Sequence, residues 1–267
     1  FRYRNKYLRN FYFNFSKFML FRTYFSRVYK KNFPKFITDK SQLMKKNEGF
    51  KLIRVTKLDE NGTNINQVLD KIGNDLKKTD FKKFDSSEEG IIKLKTSKDF
   101  DNKSPEFKFV TDKYLVEIVS RYLNCIPILS SLSLWYSPND KIFINSSQEY
   151  HLDHEDYKQV KGFLFINEID LQTGPLNVIN VEHSNNIQKL IKYKMTESYK
   201  RVNDQIIKDL KNKNININEN TITGKSGDLL LCDTSSCFHY GSRLGKKSRL
   251  ILAFQYTTPF NFFMDWN

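Results

Sequence analysis

The apolar pattern of the chain changes at Pro127, and this change limits the fold more than any other feature of the sequence. Before Pro127 apolar residues recur mainly at helical spacing, whereas after it they alternate or form short continuous runs. Strands are predicted around His151 and over residues 128–136, 141–143, 160–167, 176–179, 229–232 and 249–256. Many short strands after a mostly helical N-terminal half predict an α+β fold with a double-sheet jelly-roll or cupin-like core.

The helical signal upstream of Pro127 is clearest between positions 114 and 123, where apolar residues form one stripe and Thr111 is the predicted N-cap. A shorter amphipathic helix is predicted from Val68 to about Lys77, and a short strand around residues 91–94. We expect one domain over residues 1–267. It would consist of an N-terminal helical, basic extension (1–110), a β core (128–258) and a helical insertion within that core.

The insertion is predicted as one long helix over residues 185–212, beginning at Ser184 or Asn185. Its apolar positions recur every three or four residues, which is typical of a helix that packs one face on the core. Because the insertion interrupts the strand pattern, we expect it to act as a lid over a binding site.

The stretch Q-E-Y-H-L-D-H-E-D at residues 148–156 contains two of the four histidines of the chain. Side chains at positions i and i+2 of a strand share one face, so His151 and Asp153 can reach the same metal ion. A third ligand is expected from His239, which follows the buried strand 229–232. Two histidines and one carboxylate on one face of an octahedral metal are typical of non-haem Fe(II) oxygenases.

The neighbouring His154 leaves one alternative open, and a second alternative is excluded. His154 is expected outside the ligand set, because a residue at i+3 on a strand faces away from His151, but it could replace His151 as a ligand. A zinc-protease motif is excluded, because H-E-x-x-H would need a histidine at Lys158.

Arg249 opens the last predicted strand, and its same-face neighbours Ile251 and Ala253 are apolar. A guanidinium in that position is costly to bury unless an anion pairs with it, and arginine binds carboxylates through two parallel hydrogen bonds. A dicarboxylate such as 2-oxoglutarate meets this requirement. With one Fe(II) and Asp153, its two negative charges and the positive charge of Arg249 give an electrically neutral site.

The order and spacing of these motifs resemble the phytanoyl-CoA dioxygenase family across roughly residues 128–258. The matching features are H-x-D at 151–153, K-G-F-L-F-I-N at 161–167, Gly174-Pro175, G-D-L-L-L-C-D at 227–233, His239 and Arg249. Family members are Fe(II)- and 2-oxoglutarate-dependent oxygenases on a double-stranded β-helix. Gly241 stands where members often have serine or threonine, and Ser242 follows it.

The resemblance implies that His151, Asp153 and His239 bind iron and that Arg249 binds the distal carboxylate of 2-oxoglutarate. Ser242, Lys161 and Tyr136 are further candidates for contacts with the co-substrate. The alternative for Lys161 is a strand-end lysine that extends to solvent, and the alternative for Tyr136 is aromatic core packing.

The implied reaction hydroxylates an unactivated C–H bond of a small molecule, consumes O2 and 2-oxoglutarate, and releases succinate and CO2. A related halogenase would have a small residue at Asp153. The alternative function is a cupin-like protein that binds a metal or a small acid without turnover.

The net charge of +14 is concentrated at the N-terminus, where residues 1–54 carry 15 Lys and Arg against two acids, a net charge of +13. Residues 1–35 alternate basic and aromatic residues, which predicts either a helix packed on the domain or a basic helix in weak contact with an anionic membrane surface. No nucleic-acid partner is expected, because no recognised binding motif accompanies the charge. Three cysteines and no apolar run of membrane-spanning length favour a cytoplasmic protein with free thiols.

Overall fold

Two antiparallel sheets form the centre of the fold in the computed structural model, which describes residues 37, 39–84, 90–138, 147–193, 201–241, 243 and 245–258. The larger sheet contains, in spatial order, β1 (Phe50–Ile53), β7 (Leu229–Cys232), β4 (Gln159–Phe165), β9 (Arg249–Thr257), β3 (Ile128–Ser137) and β2 (Ile92–Lys95). The smaller sheet contains β6 (Glu219–Ile222), β5 (Leu176–Ile179) and β8 (His239–Tyr240). This arrangement confirms the predicted α+β fold with a jelly-roll core.

Six described helices accompany the sheets. They are α1 (Val55–Glu60), α2 (Ile65–Leu76), α3 (Pro105–Val110), α4 (Lys113–Leu123), α5 (Val181–Leu190) and α6 (Asp204–Asn212), with short 3-10 turns at Lys40–Gln42, Phe81–Phe84 and Ser97–Asp99. No described helix is both long enough and apolar enough to span a bilayer.

Three apolar clusters hold these layers together. The largest lies between the helices and the outer face of the large sheet, with Ile118, Leu164 and Leu252 fully buried. A second fills the space between the two sheets, and a third packs α5 and α6 against the outer face of the small sheet. The space between the sheets is therefore closed on both sides by packed layers.

The register of the large sheet decides which side chains face that interior. Arg249 pairs with Ser137, Ile251 with Trp135 and Phe165, and Gln255 with Lys161. Because directly paired residues share one face, these side chains point toward the small sheet. The alternate positions of β9, such as Leu252, face the helices.

Most strand predictions are confirmed, including β3, β4, β5, β7 and β9 within about two residues. The predicted strand at 141–143 lies outside the described residues. His151 does not belong to a regular strand: Tyr150 and His151 form only isolated bridges, to Val202 and His239. This short extended segment still places His151 beside β8.

The predicted N-terminal extension contributes two strands that its weak apolar pattern only partly indicated. β1 pairs with β7, and β2 occupies the opposite edge of the large sheet beside β3. The basic segment 1–35 lies outside the described residues, so its helix and its membrane contact stay predictions.

Thr111 is not the N-cap of α4, as the sequence suggested, but the C-cap of the preceding helix α3. The N-cap is Asp112, whose carboxylate accepts a hydrogen bond from the Tyr114 amide at 2.8 Å. A carboxylate at this position also interacts favourably with the positive end of the helix dipole.

The single long helix predicted over residues 185–212 is wrong, because the structure has two helices there. α5 begins after Asn180, whose side chain accepts from the His183 amide, and the chain leaves the helix before Lys192, which has a φ of 52°. Residues 201–203 are not helical, since Val202 donates its amide to the carbonyl of Tyr150. α6 then begins after a second capping residue, Asn203.

Candidate metal centre

Backbone pairing brings the two distant histidines of the predicted site together. His151 and His239 exchange both backbone hydrogen bonds at 3.1 Å, so their side chains lie on the same face, toward the space between the sheets. The amide of Asp153 donates to the carbonyl of Thr234 at 2.8 Å. The turn after β7 therefore fixes the third residue beside the histidine pair.

The three side chains converge on one point. One ligand atom from each of His151, Asp153 and His239 lies within 4.8 Å of the other two. Asp153 Oδ1 is 3.8 Å from His151 Nε2, and Asp153 Oδ2 is 3.7 Å from His239 Nε2. The structure thus groups all three predicted ligands, and such a set is suited to one divalent metal ion.

Hydrogen bonds define which imidazole nitrogen is available for a metal. His151 Nδ1 is 2.8 Å from the carbonyl of Glu149, and His239 Nδ1 is 3.0 Å from the carbonyl of Cys237. A carbonyl only accepts, so both Nδ1 atoms carry the proton and both Nε2 atoms present a lone pair toward Asp153. Burial lowers the pKa of both histidines, which keeps the rings neutral at neutral pH.

Asp153 is held as a buried anion by Lys161. The Lys161 ammonium lies 2.8 Å from Asp153 Oδ2 and 3.5 Å from Glu155 Oε1. Burial alone would raise the pKa of Asp153, but the positive charge of Lys161 lowers it well below its usual range. Among the described residues, Asp153 Oδ2 accepts no well-aligned hydrogen bond, although the Lys161 ammonium lies close to it.

The position of Lys161 resolves one alternative left by the sequence. Its side chain is only 16% exposed and points at the triad, not at solvent. The opposing carboxylates raise its pKa above the usual lysine value even though burial lowers it. Lys161 is therefore a permanent cation at the centre.

Arg249 lies buried on the same inner face. Its Nη1 donates to the carbonyl of Gly174 at 2.9 Å, and burial lowers its pKa to about 10, so it is charged at neutral pH. A Cβ added to Gly241 would lie 3.1 Å from Arg249 Nη1. Gly241 is two residues beyond His239, so roughly 7 Å of extended chain separates the Gly241 contact of Arg249 from His239.

Two other candidates do not join this group. Tyr136 pairs with Leu250 and Ile92, so its side chain lies on the helix-facing side of the large sheet, against Phe81 at 4.8 Å between ring centroids. The expectation that Tyr136 contacts the co-substrate is wrong, because strand alternation turns it away from Arg249. Ser242 lies outside the described residues.

His154 is not one of the clustered ligands. Its Nε2 lies 3.2 Å from the hydroxyl of Tyr193, which follows α5, and the two rings stack at 6.3 Å. The alternative in which His154 replaces His151 is therefore not supported by the geometry.

A buried network behind the triad was not predicted from the sequence. Asp233 follows β7 and accepts hydrogen bonds from the Tyr122 hydroxyl of α4 at 2.7 Å and from Ser235 at 2.6 Å. These bonds fix the turn whose Thr234 carbonyl receives Asp153. The available signal was an aspartate directly after a fully apolar strand, which requires buried partners.

Comparison with known proteins places the fold in one structural class. No family model and no curated protein matches the sequence. Solved structures that match include EctD from S. alaskensis with 2-oxoglutarate and 5-hydroxyectoine, with 16% identity, a TM-score of 0.55 and coverage of 84% of this chain and 77% of that one. HygX from Streptomyces hygroscopicus with nickel and 2-oxoglutarate matches with 16% identity, a TM-score of 0.52 and coverage of 83% and 86%.

A third match extends the range of reactions on this fold. The epimerase SnoN in complex with Fe3+, alpha ketoglutarate and nogalamycin RO shares 8% identity, with a TM-score of 0.51 and coverage of 89% of this chain and 83% of that one. At such identities the similarity defines the fold alone. The chain thus has the fold of the Fe/2-oxoglutarate-dependent enzymes.

Proposed function

We propose that this protein is an Fe(II)- and 2-oxoglutarate-dependent oxygenase that hydroxylates a small molecule. The observation that carries the proposal is the convergence of His151, Asp153 and His239 at the inner edge of a jelly-roll core. Two neutral imidazoles and one carboxylate on one side of a metal leave further positions for a co-substrate and O2. The EctD and HygX structures, which contain 2-oxoglutarate, support this assignment by their fold.

The donor set of the centre fits Fe(II). Both Nε2 atoms present lone pairs because their Nδ1 protons are bound by carbonyls, and Asp153 is ionised beside Lys161. When bound, the iron would supply oxidising chemistry with O2, which the side chains cannot perform by themselves. The protein holds the ligands in position, excludes water and orients the co-substrate.

Arg249 is suited to bind the distal carboxylate of 2-oxoglutarate. It is a buried cation on the inner face, and its guanidinium lies against Gly241, two residues from His239. A five-carbon dicarboxylate can span from the metal to this guanidinium, and a bidentate contact would fix its orientation.

Hydroxylation is the proposed reaction because Asp153 would hold the metal at the position that a halogenase leaves to a halide. In this reaction one oxygen atom of O2 enters the substrate as a hydroxyl group. The other enters the succinate formed when 2-oxoglutarate loses CO2. The order of the motifs resembles the phytanoyl-CoA dioxygenase family and supports membership of that family. The protein would act as one domain over residues 1–267. Three buried, free cysteines are in keeping with a reducing, cytoplasmic location.

The proposal is tested by anaerobic addition of Fe(II) and 2-oxoglutarate to the apoprotein, followed by visible spectroscopy. We expect the weak charge-transfer band of a 2-oxoglutarate–Fe(II) chelate. His151→Ala should abolish it, and Arg249→Gln should raise the 2-oxoglutarate concentration needed by at least about tenfold, because a charged contact is lost. His183→Ala is the matched control, because His183 lies on α5 outside the triad and accepts a hydrogen bond from the Asn218 amide.

Two results would contradict the proposal. Iron binding without the band would favour the cupin-like binding protein. Absence of iron binding would show that His151, Asp153 and His239 do not form a metal centre.

A further inference from the structure

Backbone pairing places a half-buried arginine, Arg201, next to His151 of the metal triad. Val202 donates its amide to the carbonyl of Tyr150 at 2.8 Å, and the two residues form an antiparallel bridge. In that register the next pair is His151 opposite Arg201. His151 in turn pairs with His239 on its other side. The three residues therefore form one row, and their side chains share the face that looks into the space between the sheets.

The backbone around Arg201 is fixed from both sides. On one side is the hydrogen bond of Val202 to Tyr150. On the other, Asp204 forms two hydrogen bonds of 2.7 Å with Arg243, whose guanidinium also stacks over the Tyr240 ring at 3.3 Å. Because Tyr150 and Tyr240 neighbour the two histidines, the segment with Arg201 is tied to the same framework as the metal ligands.

The charge of Arg201 has no described counterion. Asp153 and Glu155 are the carboxylates at the metal centre, and both form ion pairs with Lys161. Across the described ranges of the chain, no carboxylate lies within ion-pair distance of Arg201.

We propose that Arg201 binds an anionic group of the substrate, a carboxylate or a phosphate, beside the metal centre. This inference rests on the proposed function. With Fe(II), Asp153, Arg249 and dianionic 2-oxoglutarate the site would be neutral, and Lys161 is balanced by Glu155. Among the described residues of the site, Arg201 is then the positive charge left without a balancing anion. A guanidinium recognises carboxylate and phosphate by paired hydrogen bonds. Because Arg201 is opposite His151, the substrate carbon presented to the metal lies close to the anionic group.

The inference can be tested without turnover, through the proton relaxation of small probes. Mn(II) replaces Fe(II), 2-oxoglutarate is saturating so that Arg249 is occupied, and butanoate, butyl phosphate or butanamide is added. A probe bound beside Mn(II) shows accelerated relaxation of its protons. We expect acceleration for butanoate or butyl phosphate and none for butanamide, and the stronger of the two anions identifies the group that the site prefers.

Variants separate Arg201 from general charge effects. Arg201→Gln should weaken binding of the anionic probe on the order of tenfold, because a charge-assisted contact is lost, whereas Arg201→Lys should keep part of it. Lys208→Gln is the matched control, because it removes one positive charge from the exposed face of α6 and should leave the relaxation unchanged.

Three results would overturn the inference. Equal relaxation of butanamide, unchanged binding in Arg201→Gln, or no relaxation of either anion while Mn(II) is bound would each show that Arg201 does not select an anion. Binding of Mn(II) is measured separately by electron paramagnetic resonance. If His151→Ala binds Mn(II) as the wild type does, or the wild type binds none, the proposed function fails together with this inference.

Discussion

Replacing Lys161 by methionine isolates the contact that keeps Asp153 ionised. Methionine keeps the apolar length of the side chain but removes the ammonium that lies 2.8 Å from Asp153 Oδ2. At an effective dielectric constant of about 20, two unit charges at this distance attract by about 6 kcal/mol before desolvation is counted. Removing one partner of a buried pair costs about 3–5 kcal/mol, because the other charge stays buried.

We expect a loss near the lower end, about 3 kcal/mol, because both side chains retain 12–16% exposure. The free energy of unfolding of the metal-free protein is measured by urea denaturation. Lys93→Met is the control, because Lys93 is an exposed lysine on β2 and its loss should change stability by less than about 0.5 kcal/mol.

A bound metal ion would supply the positive charge that the variant lacks. The difference in stability between Lys161→Met and the wild type should therefore shrink at saturating Mn(II). The reasoning is refuted if metal-free Lys161→Met is as stable as Lys93→Met, or if Mn(II) leaves the difference unchanged.

Two further predictions concern pH and packing. Because burial lowers the pKa of His151 and His239 below 6.5, Mn(II) affinity should stay level as the pH falls to 6.5, and a steep loss above that pH would contradict the neutral rings. For the same reason these two histidines bind more protons in the unfolded chain than in the metal-free folded state near and below pH 6.5, so their contribution to the free energy of unfolding should fall as the pH falls there. Gly162→Ala should destabilise the protein by about 1–3 kcal/mol, because the added Cβ would lie 2.1 Å from the buried Phe254 ring. The control Gly73→Ala, which has open space inside α2, should stabilise it by up to about 1 kcal/mol. Urea denaturation of both variants tests the packing of β4, and equal stabilities would contradict the prediction.

The triad could be predicted from the sequence because the spacing of its residues along the chain indicates a metal site. His151 and Asp153 are two residues apart, and His239 follows an apolar strand. In the structure an isolated bridge joins His151 to His239, and the hydrogen bond from Asp153 to the Thr234 carbonyl positions the third side chain. The error at Tyr136 has the opposite cause. Aromatic residues occur on both faces of β3, and only the register with β9 shows which of Trp135 and Tyr136 faces inward.

The insertion was misread because its apolar spacing continues across residues 191–193 and 201–203, which are not helical. Asn180 and Asn203 cap two separate helices, and the break between them is stabilised by the bridge from Val202 to Tyr150. Such a long-range bridge leaves no local signal in the sequence. It is also what places Arg201 beside the triad, so the role proposed for Arg201 could not be inferred without the structure.

The most direct test of the central claim is anomalous diffraction at the iron edge, from crystals grown anaerobically with Fe(II). The account predicts one strong peak within bonding distance of the Nε2 atoms of His151 and His239 and of one oxygen of Asp153. A peak bound by His154, or the absence of a peak at the three residues, would contradict it.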